Sequence, residues 1–288
     1  MIQLAIAGAA GRMGRTLIEA AHENPQTQVV HGFEQPGSSN IDLDSGELAG
    51  IGNNGVCITD HIGSTDFDTL VEFTSPAATV EHIEYCRVNH RQIVIGTTGF
   101  SEQDQEKIEQ AAQDIAIVLA PNMSVGVNLC LKLLEVAAEV LGDAVDIEIV
   151  EAHHRNKVDA PSGTALRMGE VIAAALDRTL ADSGVFSRHG QTGVRGDKDI
   201  GFATIRAGDI VGEHNVMFVG SGERIEISHK ATSRMVFAHG ALRAAVWLSR
   251  QKPGLYNMEN VLGLGSVSYT HLRAHETDSY LVCRLLLE

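Results

Sequence analysis

Short apolar runs alternate with polar, helix-like stretches through the first 120 residues. Ile2–Ala7 predicts a buried strand, Arg12–Glu23 a helix and Val29–Phe33 a second strand. Thr69–Phe73, Gln92–Ile95 and Ile115–Leu119 are three further runs rich in Val, Ile and Leu. Pro76–Val88 and Ser101–Gln113 read as helices between them. Ser101 with Gln103, Asp104 and Glu106 gives the second of these a capped, acidic first turn. Strands alternating with helices predict βαβ units, a doubly wound parallel sheet and right-handed crossovers.

The pattern then changes. Val125–Leu141 reads as one amphipathic helix with Leu129, Leu133, Val136, Val140 and Leu141 on one side. Val145–Ala152 predicts a strand and Ser162–Arg178 a helix, while Asp182–Asp199 has no period and predicts a long loop. Gly201–Arg206, Glu213–Val219 and Arg224–Ser228 are three strands joined by turns, Gly220-Ser221-Gly222 closing a hairpin, and short turns predict antiparallel pairing. A last helix is expected over Ser233–Arg250, stopping before Pro253 and Gly254. The chain is thus bipartite, an α/β unit followed by an α+β unit. Residues 265–288 carry no convincing cap or turn and end in the apolar cluster YLVCRLLL. They resemble a translated cloning sequence rather than a native tail and are set aside.

Composition adds limits. The chain has 288 residues, enough for one large or two ordinary domains. With 22 basic and 37 acidic residues, a formal charge of −15 argues against bulk nucleic-acid or anionic-membrane binding. No apolar run approaches the ~18 residues of a membrane span. Cys57, Cys86, Cys130 and Cys283 have no C-x-x-C spacing and are expected to be reduced, mostly buried thiols of a cytoplasmic protein.

Candidate chemistry begins at Gly8-Ala9-Ala10-Gly11-Arg12-Met13-Gly14, between the first strand and helix. Gly8 suits a tight turn, Gly11 leaves room for a pyrophosphate, and Gly14 lets the helix pack close. The helix N-terminus offers free N–H groups to phosphates. Glu34 ends the second strand, where an acid can accept ribose hydroxyls; the alternative is an ordinary loop acid. Gln35 is uncharged and does not favour a 2′-phosphate, so NADH is expected to be usable, with NADPH open. Gly96-Thr97-Thr98-Gly99 and Ala120-Pro121-Asn122-Met123 follow strands on the same sheet edge. They read either as ordinary turns or as a seat for a nicotinamide ring.

The densest chemistry is His153-His154-Arg155-Asn156-Lys157-Val158-Asp159-Ala160-Pro161-Ser162-Gly163-Thr164-Ala165. A helix opening at Ser162-Gly163-Thr164 is an anion site suited to a carboxylate. Histidine and lysine are potential proton donors. The alternative is a solvated basic loop. Adjacent histidines at a strand end point oppositely, and no Cys or i, i+4 His partner is near, so no metal is expected.

The segments GAAGRMG, GELAG, EFTSP, GTTGF, APNMSVGVN, EAHHRNKVDAPSGTA, GFATIRAGDIVGEH and ISHKATSRMVFAHGA together resemble the 4-hydroxy-tetrahydrodipicolinate (dihydrodipicolinate) reductase family of lysine biosynthesis, from Met1 to about Leu264. The resemblance implies a Rossmann-like cofactor domain over 1–124, rejoined by 235–264. A smaller substrate and oligomerisation domain over 125–234 would carry a mixed, largely antiparallel sheet. It implies a homotetramer and hydride transfer from NADH or NADPH to ring C4 of a cyclic dicarboxylate. It also implies His153 and Lys157 as proton donors, and His154, Gly163 and Thr164 as carboxylate ligands. Cofactor contacts would be Gly8–Met13, Glu34, Gln35, Gly96–Thr98 and Ala120–Met123. Competing readings are another dehydrogenase of amino-acid metabolism and a non-catalytic dinucleotide-binding regulator.

Overall fold

A computed structural model describes residues 1–63 and 65–265 of the chain. Except for residue 265, the stretch set aside as foreign, with Cys283, lies outside the described residues. β1 (Ile2–Ala7) leads through the glycine turn into α1 (Arg12–Glu23), and β2 (Thr27–Phe33) lies parallel to β1. The chain then forms α2 (Ser45–Ala49), β3 (Ile58–Thr59), β4 (Thr69–Glu72), α3 (Pro76–Val88), β5 (Gln92–Ile95), α4 (Glu102–Ala111) and β6 (Ala116–Leu119). Alternate side chains of the strands enter two cores. Leu4, Ile6, Val94 and Val118 face one, and Ala5, Ile93, Ile95 and Ile117 face the other. Burial on both faces is why these strands read as continuous apolar runs. The capped start at Ser101 is a full capping box with Asp104.

The second unit begins with α5 (Val125–Leu141) and β7 (Asp146–His153), followed by α6 (Gly163–Ala175), α7 (Leu180–Ser183), β8 (Gly184–Val185), β9 (Ile200–Arg206), β10 (Gly212–Val219) and β11 (Arg224–Ala231). Its sheet runs β11-β10-β7-β9-β8. The pairs β11–β10 and β10–β7 are antiparallel, and β7–β9 and β9–β8 are parallel. The sheet is mixed, as the resemblance implied. The simple reading of three successive antiparallel strands needs correction. β9 and β10 are joined by a short turn but do not pair, because β7 lies between them. Part of the expected long loop is also ordered, as the end of α7 and as β8. Arg188 and Arg195 bond Glu148, which ties this segment to β7.

Helix α5 corrects a second expectation. Its buried face is Val127, Cys130, Leu134 and Ala138, packed under the second sheet. Most of the stripe read from the sequence is exposed, with Leu129 at 44%, Leu133 at 46% and Val140 at 77%, and of it only Leu141 packs against the core. The helix is apolar on more than one side, so periodicity alone could not choose the core face.

The chain returns to the first sheet after β11. α8 (Met235–Leu248) packs on α1, with Ala241, Leu242, Ala245 and Leu248 in the first core. β12 (Gly254–Tyr256) then pairs parallel with β6, and α9 (Met258–Leu262) follows. The complete order is β12-β6-β5-β4-β1-β2-β3. This is a Rossmann-type order with one added edge strand, and the crevice opens where it reverses, beside β1 and β4. α2, β3 and β12 carry too little pattern to be read from the sequence. No described helix is long and apolar enough to cross a membrane.

Candidate active site

The glycine turn sits at that crevice. Gly8 has φ +63°, and a Cβ there would stand 3.1 Å from Thr74 on β4's exit. Gly11 closes the turn by donating to the Gly8 carbonyl at 2.9 Å. A Cβ on Gly14 would lie 2.2 Å from the Gly8 oxygen, so only glycine lets α1 approach the strand end this closely. α1 has no side-chain N-cap and no acid in its first turn. By contrast α3, α5 and α6 are capped by Ser75, Ser124 and Ser162. The uncapped N–H groups of α1 are therefore open to an anion. Ala9 and Ala10 are buried. Glu34 reaches back from β2's end, its Oε1 accepting from the Ala10 N–H at 3.0 Å. These features fit a dinucleotide's pyrophosphate and adenine ribose.

A cavity of about 590 Å³ continues from the turn, lined by Gly8, Glu34, Gln35, His61, Thr74 and His82 among others. Behind its wall, beneath Thr74 and His82, stands an acid that sequence reasoning passed over. Glu72 is fully buried, accepts from the Thr74 N–H at 2.8 Å and its hydroxyl at 2.5 Å, and pairs with His82. The only signal was an acid at a strand's carboxyl end.

A second cavity, of about 470 Å³, joins the two units. Thr98, Ala120, Pro121 and Asn122 form one wall. His153, Lys157, Gly163 and Thr164 form the other. Asn122 Nδ2 donates to Thr164 Oγ1 at 3.2 Å, across the cleft. A Cβ on Gly163 would meet nothing within 4 Å, so the start of α6 faces open space. Lys157 Nζ lies 2.8 Å from Asp159, whose carboxyl that contact holds below its usual range.

Some expected residues stand elsewhere. Thr97 is buried, its hydroxyl accepting from Thr79 at 3.0 Å. Met123 is buried, and its carbonyl lies against Gly240 of α8. Gly96 packs on the Phe73 ring. Only backbone groups of these three can serve a ligand. His154 does not line the cavity, and its buried Nδ1 has no hydrogen-bond partner among the described residues. Strand alternation accounts for the split between the two histidines. Arg12 is exposed and Met13 half-buried at the start of α1.

The same alternation puts Glu151 beside His153. Glu151 is 1% exposed; its Oε2 accepts from His153 Nδ1 at 2.6 Å and from Arg206 at 2.7 Å. Its Oε1 accepts from Arg206 at 2.8 Å and from the Ser162 N–H at 3.0 Å. Burial pushes this carboxyl up. The hydrogen bonds from Arg206, His153 and Ser162 prevail and hold it down to about 2. Next to it, His214 bonds Ser162 Oγ at 2.9 Å and stacks edge-on against His153. Burial pushes His214 down to about 4.

These two groups set an acid limit. A His214 held near 4 instead of 6.5 binds fewer protons folded than unfolded, so stability falls as pH drops through that window. Glu151 extends the loss from 4.5 toward 2. A Tm series is expected to fall from pH 6.5 downward. His214→Gln, which keeps a partner for Ser162, should flatten the segment above pH 4.5; an unchanged slope would refute the assignment.

Residues 2–123 match the sequence profile described as "Dihydrodipicolinate reductase, N-terminus" and residues 126–262 the one described as "Dihydrodipicolinate reductase, C-terminus". Among solved structures, a dipicolinate-bound dihydrodipicolinate reductase from Paenisporosarcina sp. is 24% identical, with TM-score 0.73 over 90% of this chain and 99% of that one. An amine dehydrogenase from Mycobacterium smegmatis is 13% identical, with TM-score 0.60 over 90% and 95%. A myo-inositol dehydrogenase from Corynebacterium glutamicum is 15% identical, with TM-score 0.52 over 92% and 93%. At these identities the structural likenesses speak to the fold alone.

Proposed function

Because the chain belongs to the dihydrodipicolinate reductase family, we propose that the 470 Å³ cavity between its two units is where its reaction occurs, with His153 and Lys157 as proton donors. The reaction is the NAD(P)H-dependent reduction of 4-hydroxy-tetrahydrodipicolinate to tetrahydrodipicolinate in lysine biosynthesis. The nicotinamide dinucleotide supplies the hydride when bound. Residues 1–124 with 235–264 form its domain, and 125–234 hold the substrate. Gly8–Met13 and Glu34 take the pyrophosphate and adenine ribose, and Thr98 with Ala120–Asn122 takes the nicotinamide end.

On the facing wall, the open start of α6 at Gly163 and Thr164 receives one substrate carboxylate, and Lys157 leaves Asp159 for the other end of the dianion. Once the C4 hydroxyl has left as water, hydride arriving at ring C4 of the conjugated imine leaves an electron pair on its C–N framework. His153 and Lys157 stabilise that charge and return a proton to it. The observation that carries this reading is the pairing of a small-residue sheet edge with two cationic donors and a helix start across one cavity. The dipicolinate held by the Paenisporosarcina enzyme supports a ligand with two carboxylates. His154 does not line this cavity, so neither carboxylate is placed on it.

The test is loss of reduced nicotinamide on mixing the chain with pyruvate, aspartate semialdehyde and the preceding synthase. Loss must require the complete mixture. No loss from folded protein that binds NADH would sink the reading. Glu34 and Gln35 present no cation to a 2′-phosphate, so NADH is expected to outperform NADPH. Gln35→Arg should raise kcat/KM for NADPH about tenfold and leave NADH within about threefold, because a charge-assisted phosphate bond exists only for the former.

The enzyme acts in the cytoplasm as a homotetramer. The sheet face turned away from α5 and α6 supports the assembly, with Ile205 exposed there at 47%. Light scattering that returned a monomer mass would exclude it.

A further inference from the structure

Glu151 was assigned no role in the reading above, yet it bonds His153 and the start of α6 directly and reaches the lysine loop through Arg206. Its Oε2 meets His153, its Oε1 meets the backbone N–H that opens α6, and both oxygens are gripped by Arg206. Arg206 Nη2 also donates to the Asp159 carbonyl at 2.6 Å, within the loop that carries Lys157. One buried ion pair thus sets the relative positions of the imidazole, the lysine loop and the carboxylate-binding helix start.

We propose that Glu151, held by Arg206, is the positioning residue of His153, locking its ring with Nδ1–H on the carboxylate and Nε2 turned toward the substrate. An ionised carboxylate can only accept, so the nitrogen that meets it must be the donor. Nε2 makes no hydrogen bond among the described residues, and the ring lines the cavity. A Cβ on Gly212 would stand 3.1 Å from Nε2, and glycine there leaves that nitrogen room. Proton transfer then has one route. Imidazolium gives its Nε2 proton to the electron pair left on the substrate. The ring remains as the Nδ1–H tautomer, still bonded to Glu151, and Nε2 regains a proton from solvent.

The carboxylate also governs charge. Burial lowers the His153 pKa, and Lys157 and Arg206 lower it further, while Glu151 opposes them. The remaining polar neighbours are His214, edge-on and held neutral by burial, and Asp159, which is engaged by Lys157. Glu151 is thus the one group among these contacts that raises the His153 pKa and so favours the donor form.

This inference rests on His153 being the proton donor, and the experiment separates the two claims. Glu151→Gln keeps an acceptor but removes the charge. It should lower kcat about tenfold near pH 7.5 and leave substrate KM within about threefold. The alkaline limb of the kcat profile should move about one unit to lower pH, and Glu151→Asp should move it back. A scaffold role alone would lower the folded fraction without moving that limb. An unmoved limb in folded Glu151→Gln, with His153→Ala inactive, overturns the positioning role. Full activity in His153→Ala overturns the proton-donor reading instead. Should Glu151→Gln fail to fold, since it leaves Arg206 unpaired, imidazole nitrogen spectra of the unmodified protein decide. Above its titration His153 must carry hydrogen on Nδ1, and hydrogen on Nε2 overturns the proposal.

Discussion

Lys157→Ala should lower kcat by about 100- to 10 000-fold while NADH affinity stays within about twofold. Positioned proton donors contribute in that range, and Lys157 stands on the wall opposite the sheet edge assigned to nicotinamide. The replacement is structurally cheap. Lys157 is half-buried, and the Asp159 carboxylate it leaves behind is 53% exposed, so no buried charge is stranded. Tm should move by no more than about 2 °C. His153→Ala should fall in the same range, with Glu151 still paired to Arg206. The two losses should not multiply in the double variant, because both groups serve one developing charge. Stopped-flow single turnovers with NADH fluorescence measure both quantities. An enzyme in which Lys157→Ala turns over normally has its proton donor elsewhere. A regulator that only binds dinucleotide would show no turnover to lose.

Gly14→Ala should weaken NADH binding about tenfold or more and destabilise the fold. The added methyl would lie 2.2 Å from the Gly8 oxygen and 2.7 Å from Ala9 Cα, both backbone atoms that no rotamer change can move. Either α1 slides off the strand end or the turn deforms, and both displace the uncapped N–H groups that face the pyrophosphate. Overpacking of this kind costs about 1–3 kcal/mol, which lowers Tm by roughly 2–12 °C. Calorimetric titration with NADH and a thermal melt test it together. Gly163→Ala is the internal contrast, because a Cβ there meets open space. It should leave Tm nearly unchanged. Wild-type NADH affinity in Gly14→Ala would show that the glycine serves packing alone.

Much of this was legible because it is local. The glycine spacing placed Gly8 at a positive φ and Gly14 at a close approach, as read. The adjacent histidines were expected to point oppositely, and only His153 reaches the cavity. Glu151 lay in view, two residues before His153 on the same strand face, but its partners are Arg206 and Ser162. Contacts that span 55 positions leave no period or spacing in a sequence.

The sequence by itself determined the alternation of strand and helix, the glycine turn, the capped helix starts and the strand-end motif with its two candidate donors. Each depends on φ/ψ preference, side-chain period or a hydrogen bond within one turn of the chain. Tertiary structure alone decided which face of α5 is buried and that β7 separates β9 from β10. It also made three residues, Gly254–Tyr256, into a seventh strand beside β6. α5 is apolar on several sides, β12 is too short to carry a pattern, and strand neighbours are chosen by where the whole chain can bury both faces of each sheet. The site was settled at that level too. Ala10 and Glu34 meet once the first sheet exists, Glu151 and Arg206 once the second does, and Asn122 and Thr164 only when the two are joined; a buried carboxylate shared by three elements can form nowhere else.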